Sequence, residues 1–260
     1  MSAEILAKIA EEVAECTKCH LCKGRTKTVP GEGSPEAKIM FIGEAPGYHE
    51  DIQGKPFVGQ SGQLLEKMLV ALGYTRQDVF IANVIKCRPP DNRDPQDSEI
   101  AACKSFLDRQ IAALNPRLIV TLGRFSMRRW FPNERISQIH GKPKEDDGRI
   151  VMPMFHPAAA LRDRIRTYNM FREDAFTIPD LLKRAEELAL TELWSQTYTP
   201  IEKATPEISV QIAEQRTELT TQSVNAEIVA DIAKEEKPPK IAKPRKKKQD
   251  EPPAEQLTLF

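Results

Sequence analysis

Apolar residues over the first two thirds of the chain alternate between unbroken runs and helical spacing. Residues 37–42 (AKIMFI) are a continuous apolar run ending at Gly43, the pattern of a strand covered on both faces. Over 62–72, Leu65, Met68, Leu69 and Leu72 fall on one helical face. A second strand, 79–86 (VFIANVIK), is closed by Cys87-Arg88-Pro89-Pro90. Pro95 then opens a helix with Ile100, Cys103, Leu107, Ile111 and Leu114 on one stripe. Residues 117–122 (RLIVTL) form a third strand, followed by a short helix through Trp130. Residues 149–155 (RIVMPMF) form a fourth, leading through His156-Pro157 into a last helical region up to about Leu190. Strands alternating with helices predict an α/β fold, a three-layer α/β/α sandwich around a central, mainly parallel four-stranded sheet. Ligands of such sheets sit beyond the carboxyl ends of the strands. The loops that matter are therefore 43–59, 87–95, 123–129 and 156–166.

The pattern stops near Trp194. Every glycine lies at or before Gly148, and beyond residue 194 Pro, Glu, Lys, Thr and Gln dominate. A stretch so poor in apolar residues cannot offset its ordering entropy, so 195–255 reads as a disordered linker. Within it, Val224, Ile228 and Ile232 have the spacing of a short helix over 223–236. The domain reading is thus a folded body over 1–194, a linker over 195–255 and a terminal peptide over 256–260. The whole chain of 260 residues balances 38 basic against 38 acidic side chains, which excludes nucleic-acid affinity through bulk charge. Local charge is another matter: 240–248 carries six basic residues and no acid, fitting either a solvated linker or a nucleic-acid contact. No apolar run approaches a membrane span, and the acidic N-terminus is not a secretory signal. A cytoplasmic protein is expected.

Cys16, Cys19, Cys22, Cys87 and Cys103 are the only cysteines. In a reducing compartment a CxxCxxC run binds metal more readily than it forms disulfides. Spacing alone leaves zinc and an iron–sulfur cluster both open, since each accepts four thiolates. Cys103 taken alone reads as a core residue on its helical stripe, whereas Cys87 stands at a strand end.

Four segments then carry a resemblance. Gly43-Glu44-Ala45-Pro46-Gly47 with Glu50-Asp51, Gly54-Lys55-Pro56-Phe57-Val58-Gly59, Asn83-Val84-Ile85-Lys86-Cys87-Arg88-Pro89-Pro90 and His156-Pro157-Ala158-Ala159 resemble, in order, the family 4 uracil-DNA glycosylases. The resemblance implies a [4Fe-4S] cluster on Cys16, Cys19, Cys87 and Cys103, with Cys22 as a spare. It also implies a monomeric repair enzyme acting on uracil in single- and double-stranded DNA, at the bacterial nucleoid.

The chemistry gives each motif a task. The base must leave the helix before it is cleaved. Phe57 is the candidate surface for stacking it. The Asn83 amide can accept from uracil N3–H and donate to O4, a pattern cytosine reverses. By resemblance Glu50 fills the space beside C5 and excludes thymine's methyl, and Ala45 belongs to the substrate pocket. His156 is the candidate donor to uracil O2, as a neutral or a charged ring. Other uracil glycosylases have GQDPYH, whose Asp positions water. Ala45 stands in that place here, so Glu44 or Glu50 is left to orient water, unless water adds to an oxocarbenium ion unaided. His49 is out of register and takes no catalytic role. After His156, Leu161 is the expected wedge in the minor groove, with Arg162, Arg164 and Arg88 on phosphates and Arg93, Arg124 and Arg128 extending the track.

The last residues, Gln256-Leu257-Thr258-Leu259-Phe260, resemble the bacterial sliding-clamp-binding pentapeptide at Gln256, Leu257, Leu259 and Phe260. A second reading of the whole chain stays open here: a non-catalytic iron–sulfur or zinc DNA-binding module associated with replication.

Overall fold

The unbroken apolar runs become strands because both their faces are covered by helices. A computed structural model describes residues 2–197 of the protein. Its strands are β1 (Glu32–Gly33), β2 (Ile39–Gly43), β3 (Phe80–Asn83), β4 (Leu118–Leu122), β5 (Lys144–Asp146) and β6 (Arg149–Met154). They form one sheet in the order β1-β3-β2-β4-β6-β5. The four central strands are parallel, as the alternation predicts. The expected four-stranded sheet is corrected to six, because short antiparallel strands close both edges. These edges have two and three residues and no apolar run, so periodicity has nothing to detect there.

The helices are α1 (Ser2–Ala14), α2 (Tyr48–Gln53), α3 (Gln60–Ala71), α4 (Asp97–Leu114), α5 (Arg124–Met127), α6 (Ile136–Ile139), α7 (Pro157–Arg162), α8 (Arg166–Phe176) and α9 (Ile178–Thr197). Side chains along β2 alternate between two cores. Ile39 and Phe41 pack with Leu65 and Leu69 of α3, Phe171 of α8 and Ala185 of α9. Met40 and Ile42 pack with Ile9 and Val13 of α1 and with Phe106 and Ile111 of α4. The period-2 geometry of one central strand thus splits the molecule into three layers. Each fully buried side chain such as Phe41 or Ile42 contributes about 1.5–3 kcal/mol.

Three details differ from the periodicity. Helix α1 precedes any element read from the sequence, although Ile5, Ile9 and Val13 already have its four-residue spacing. It docks on α4 through a bidentate Glu12–Arg109 ion pair. The helix expected from Pro95 starts at Asp97, because the Glu99 carboxylate turns back to the Gln96 N–H and caps the first turn. The last helical region is broken in two places, and α9 runs past the boundary drawn at Trp194. No helix among the described residues is long and apolar enough to cross a membrane. The expected helix over 223–236, the basic run 240–248 and the peptide 256–260 lie outside the described residues.

Candidate active site

The carboxyl ends of the central strands open into a cleft of about 860 Å³, within the usual range of small-molecule pockets. All four predicted loops reach it, through Phe57, Pro89, Arg124 and His156 among others. Gly43 and Asn83, the last residues of β2 and β3, are register partners. A Cβ at position 43 would stand 2.4 Å from Asn83 Oδ1 and 2.5 Å from Phe57 Cζ. The absent side chain is what lets the ring and the amide share the cleft floor. Asn83 is 1% exposed, and its Oδ1 is a buried acceptor with no hydrogen-bond partner. Burying an unpaired amide oxygen costs roughly 1–3 kcal/mol. A ligand N–H placed in the cleft would remove that cost.

Phe57 adopts φ 53°, a left-handed conformation that costs a non-glycine residue about 1–2 kcal/mol. Two contacts hold it there. Arg76 donates to the carbonyls of Pro56 (2.7 Å) and Phe57 (3.1 Å), and Gly62 lies so close that a Cβ would fall 1.8 Å from the Phe57 oxygen. The ring stacks beside His156 at 5.6 Å between centroids and 29° between planes.

His156 is the N-cap of α7, and its Nδ1 accepts the Ala158 N–H at 3.1 Å. An accepting Nδ1 carries no proton, so Nε2 holds the ring's hydrogen as a donor. The residue keeps some surface open to the cleft, but protein crowds the ring. That desolvation, helped by the nearby Arg162 guanidinium, pushes its pKa down to about 4. The imidazole is neutral at physiological pH. Of the two states left open by the sequence, the geometry selects this one.

The two carboxylates differ. Glu50 is buried; its Oε1 accepts from the N–H of Val58 (2.9 Å) and Gly59 (2.8 Å), and its Oε2 from that of Gly47 (3.1 Å). It braces the loop that carries Phe57. Glu44 is half-buried, with Oε1 accepting from Phe125 N–H at 3.2 Å, and burial raises its pKa. Gly123 makes room for it, since a Cβ there would stand 2.3 Å from Glu44 Oε1. Ala45 lines the cleft.

The arginines fall into two groups. Arg93, Arg124 and Arg128 are paired with Glu99, Asp94 and Asp97, and Arg88 bonds Asn92 and lies over the Tyr48 ring. Arg162 and Arg164 are exposed and form no ion pair among the described residues, and Arg162 lines the cleft. Leu161, the expected wedge, is half-buried against the α3-side core.

All five cysteines line a second, smaller cavity between α1, α4 and the end of β3. Cys87 and Cys103 are buried, and burial raises both thiol pKa values, that of Cys103 to about 11. Arg25 reaches in, donating to Cys87 Sγ at 3.4 Å and to the Cys16 carbonyl at 2.7 Å. Among the described residues no three His, Cys, Asp or Glu side chains form a group that could hold a single ion. The donor set fits a thiolate-held group: several thiols on one cavity, with a cation beside one sulfur.

Several supporting residues carry no signal in periodicity. Lys86 is fully buried, and its Nζ donates to the Asn83 carbonyl (2.9 Å) and to Gln110 (2.7 Å), so it stands between the cysteine cavity and the cleft. Burial lowers its pKa to about 8. Asp51 accepts the Thr26 N–H with both oxygens and ties the segment after the cysteines to α2. Lys86 and Asp51 stand inside the motif segments given above. Arg76 stands outside them.

Comparison with known proteins gives the chain a family. A family model, the uracil DNA glycosylase superfamily, matches residues 30–178. The type-4 uracil-DNA glycosylase of Sulfurisphaera tokodaii is 48% identical over 197 residues, 72% of this chain and 86% of that protein. That of Saccharolobus solfataricus is 50% identical over 163 residues, 59% of this chain and 76% of the relative. That of Thermotoga maritima is 43% identical over 164 residues, 62% and 85% respectively.

Proposed function

The chain belongs to the uracil DNA glycosylase superfamily, and from that premise we propose how its own residues carry the reaction. It is a DNA repair enzyme that excises uracil by hydrolysing the N-glycosidic bond. The observation that carries the site assignment is the unpartnered Asn83 Oδ1 on a floor shared with Phe57 and the neutral His156. A flipped uracil stacks on Phe57, gives its N3–H to Asn83 Oδ1 and accepts at O2 from His156 Nε2–H. As the glycosidic bond breaks, its electron pair goes to the ring and negative charge grows on O2. A fixed donor aimed there stabilises the transition state more than the ground state. Glu50, with three backbone donors on its carboxylate, serves as the wall beside C5. Glu44 is the group left to orient water toward the sugar, because both Glu50 oxygens are taken by backbone N–H groups while Glu44 accepts from Phe125 N–H through Oε1, and burial raises its pKa. Incubating the protein with single- and double-stranded oligonucleotides carrying one uracil, against thymine and cytosine controls, tests this. Alkali-labile sites should appear at uracil alone.

Cys16, Cys19, Cys87 and Cys103 would hold a [4Fe-4S] cluster. When bound, it supplies a structural tie rather than a reacting group. Cys87 follows the Asn83–Lys86 segment directly, so the tie would fix α1 and the 87–95 loop against the cleft. The shared cavity and the Arg25 donor support a thiolate-held group at this place. Anaerobically purified protein should be brown, with its visible absorbance lost in Cys87→Ser and Cys103→Ser but kept in Cys22→Ser. A colourless protein with one zinc per chain would refute it.

Residues 256–260 would tether the enzyme to a sliding clamp through Gln256, Leu257, Leu259 and Phe260. The support is their sequence: an apolar cluster closing a polar segment. A flexible chain about as long as the stretch between the folded body and residue 256 would reach about 40–50 Å, and the basic run 240–248 would add a salt-sensitive hold on DNA. Deleting 256–260 should abolish binding to the clamp of the same organism without changing excision from short oligonucleotides. Equal clamp binding by both proteins in calorimetry would contradict the tether.

A further inference from the structure

The turn between α7 and α8 reads Arg162-Asp163-Arg164-Ile165-Arg166, and all five residues are exposed. Ile165 is 80% exposed, above Val70 at 66% and Leu190 at 67% among the exposed large hydrophobics. A lone exposed isoleucine is ordinary. Its surroundings are not. It is bracketed by three arginines, none of which forms an ion pair among the described residues, whereas Arg93 and Arg124, which line the same cleft, and Arg128 are all ion-paired. The turn also holds its shape. Asp163 accepts the N–H groups of Arg166 and Thr167 and the Thr167 hydroxyl, the last at 2.8 Å. Arg162, at its start, lines the cleft and lies close enough to depress the His156 imidazole. The turn is therefore continuous with the active site. Leu161, by contrast, packs against the α3-side core.

Resting on the glycosylase reading above, we propose that Ile165 is the positioning residue that enters the base stack of duplex DNA when uracil leaves it, with Arg164 and Arg166 on the flanking phosphates. A side chain that fills a vacated stack must project beyond the protein surface, be apolar and sit on a turn that does not yield. Ile165 meets all three conditions, and Leu161 meets only the second. The surrounding cations draw the phosphate backbone to the same place. A single strand has no stack to open, so this element matters only for duplex substrates.

The test compares single-turnover excision from a duplex and from the same uracil-containing single strand, using the full-length protein. Ile165→Ala should slow excision from the duplex about tenfold and leave the single-strand rate unchanged. Ile165→Leu should restore the duplex rate. Leu161→Ala should lower the melting temperature and leave the ratio of the two rates as in the wild type. An unchanged ratio in Ile165→Ala, equal losses on both substrates, or a selective duplex loss in Leu161→Ala would each overturn the proposal. If the wild type cleaves neither substrate, the glycosylase reading itself fails, and this inference with it.

Discussion

Replacing His156 with alanine is expected to slow single-turnover excision about 10²–10³-fold, the usual effect of removing one donor from a developing oxyanion. DNA binding should stay near wild type, since the ring lies in the base pocket rather than on the backbone track. The size of the effect rests on a donor that is fixed before the reaction. Nδ1 is committed to the Ala158 N–H, so Nε2–H points its hydrogen without any change of tautomer. Desolvation, with Arg162 second, brings the pKa to about 4. The rate should therefore show no inflection at the ordinary histidine value near 6.5. The histidine's own contribution should fall only as pH drops through about 4, where protonating Nδ1 breaks the Ala158 bond, and a fall at higher pH would mark Glu44, whose pKa burial raises. The sign for stability is the same: the folded pKa lies below the unfolded one, so the contribution is complete above about 6.5 and is lost as pH falls toward 4. A wild-type excision rate in His156→Ala would remove the residue from the mechanism.

Asn83→Ala should produce a loss of similar size, about 10²–10³-fold on uracil. Its stability effect should run the other way. The amide oxygen is buried without a partner in the free enzyme, so removing it deletes an unsatisfied polar group rather than a working bond. The melting temperature should hold or rise while excision collapses, the usual trade at a site built for a ligand. Parallel losses of melting temperature and activity would instead make Asn83 a structural turn residue. Lys86 belongs to the same account, because its bond to the Asn83 carbonyl keeps the end of β3 in place.

The central strands were legible in the sequence for one reason. Both of their faces are buried, so Ile39, Met40, Phe41 and Ile42 all had to be apolar. The edge strands carry no such demand, and Glu32–Gly33 and Lys144–Asp146 look like loops. The cleft residues were legible as chemistry at strand ends, and four motifs in order tied Phe57, Asn83 and His156 together. Relations that depend on three-dimensional approach were not legible. Nothing local reveals that Gly43 is a gap for Phe57 and Asn83, that Glu50 spends its oxygens on Gly47, Val58 and Gly59, or that Cys22 shares a cavity with the other thiols. Leu161 and Ile165 are equally apolar in the sequence, and only packing distinguishes the buried one from the exposed one.

Everything above turns on hydrolytic release of uracil from this cleft. Its most direct measurement is mass spectrometry of the products formed from a duplex with one uracil in ¹⁸O-labelled water. Hydrolysis by a monofunctional glycosylase should give one unlabelled free uracil per abasic site, label at the sugar carbon that lost the base, and an unbroken strand. Label in the released base, strand cleavage without added alkali, or no free uracil at all would contradict it.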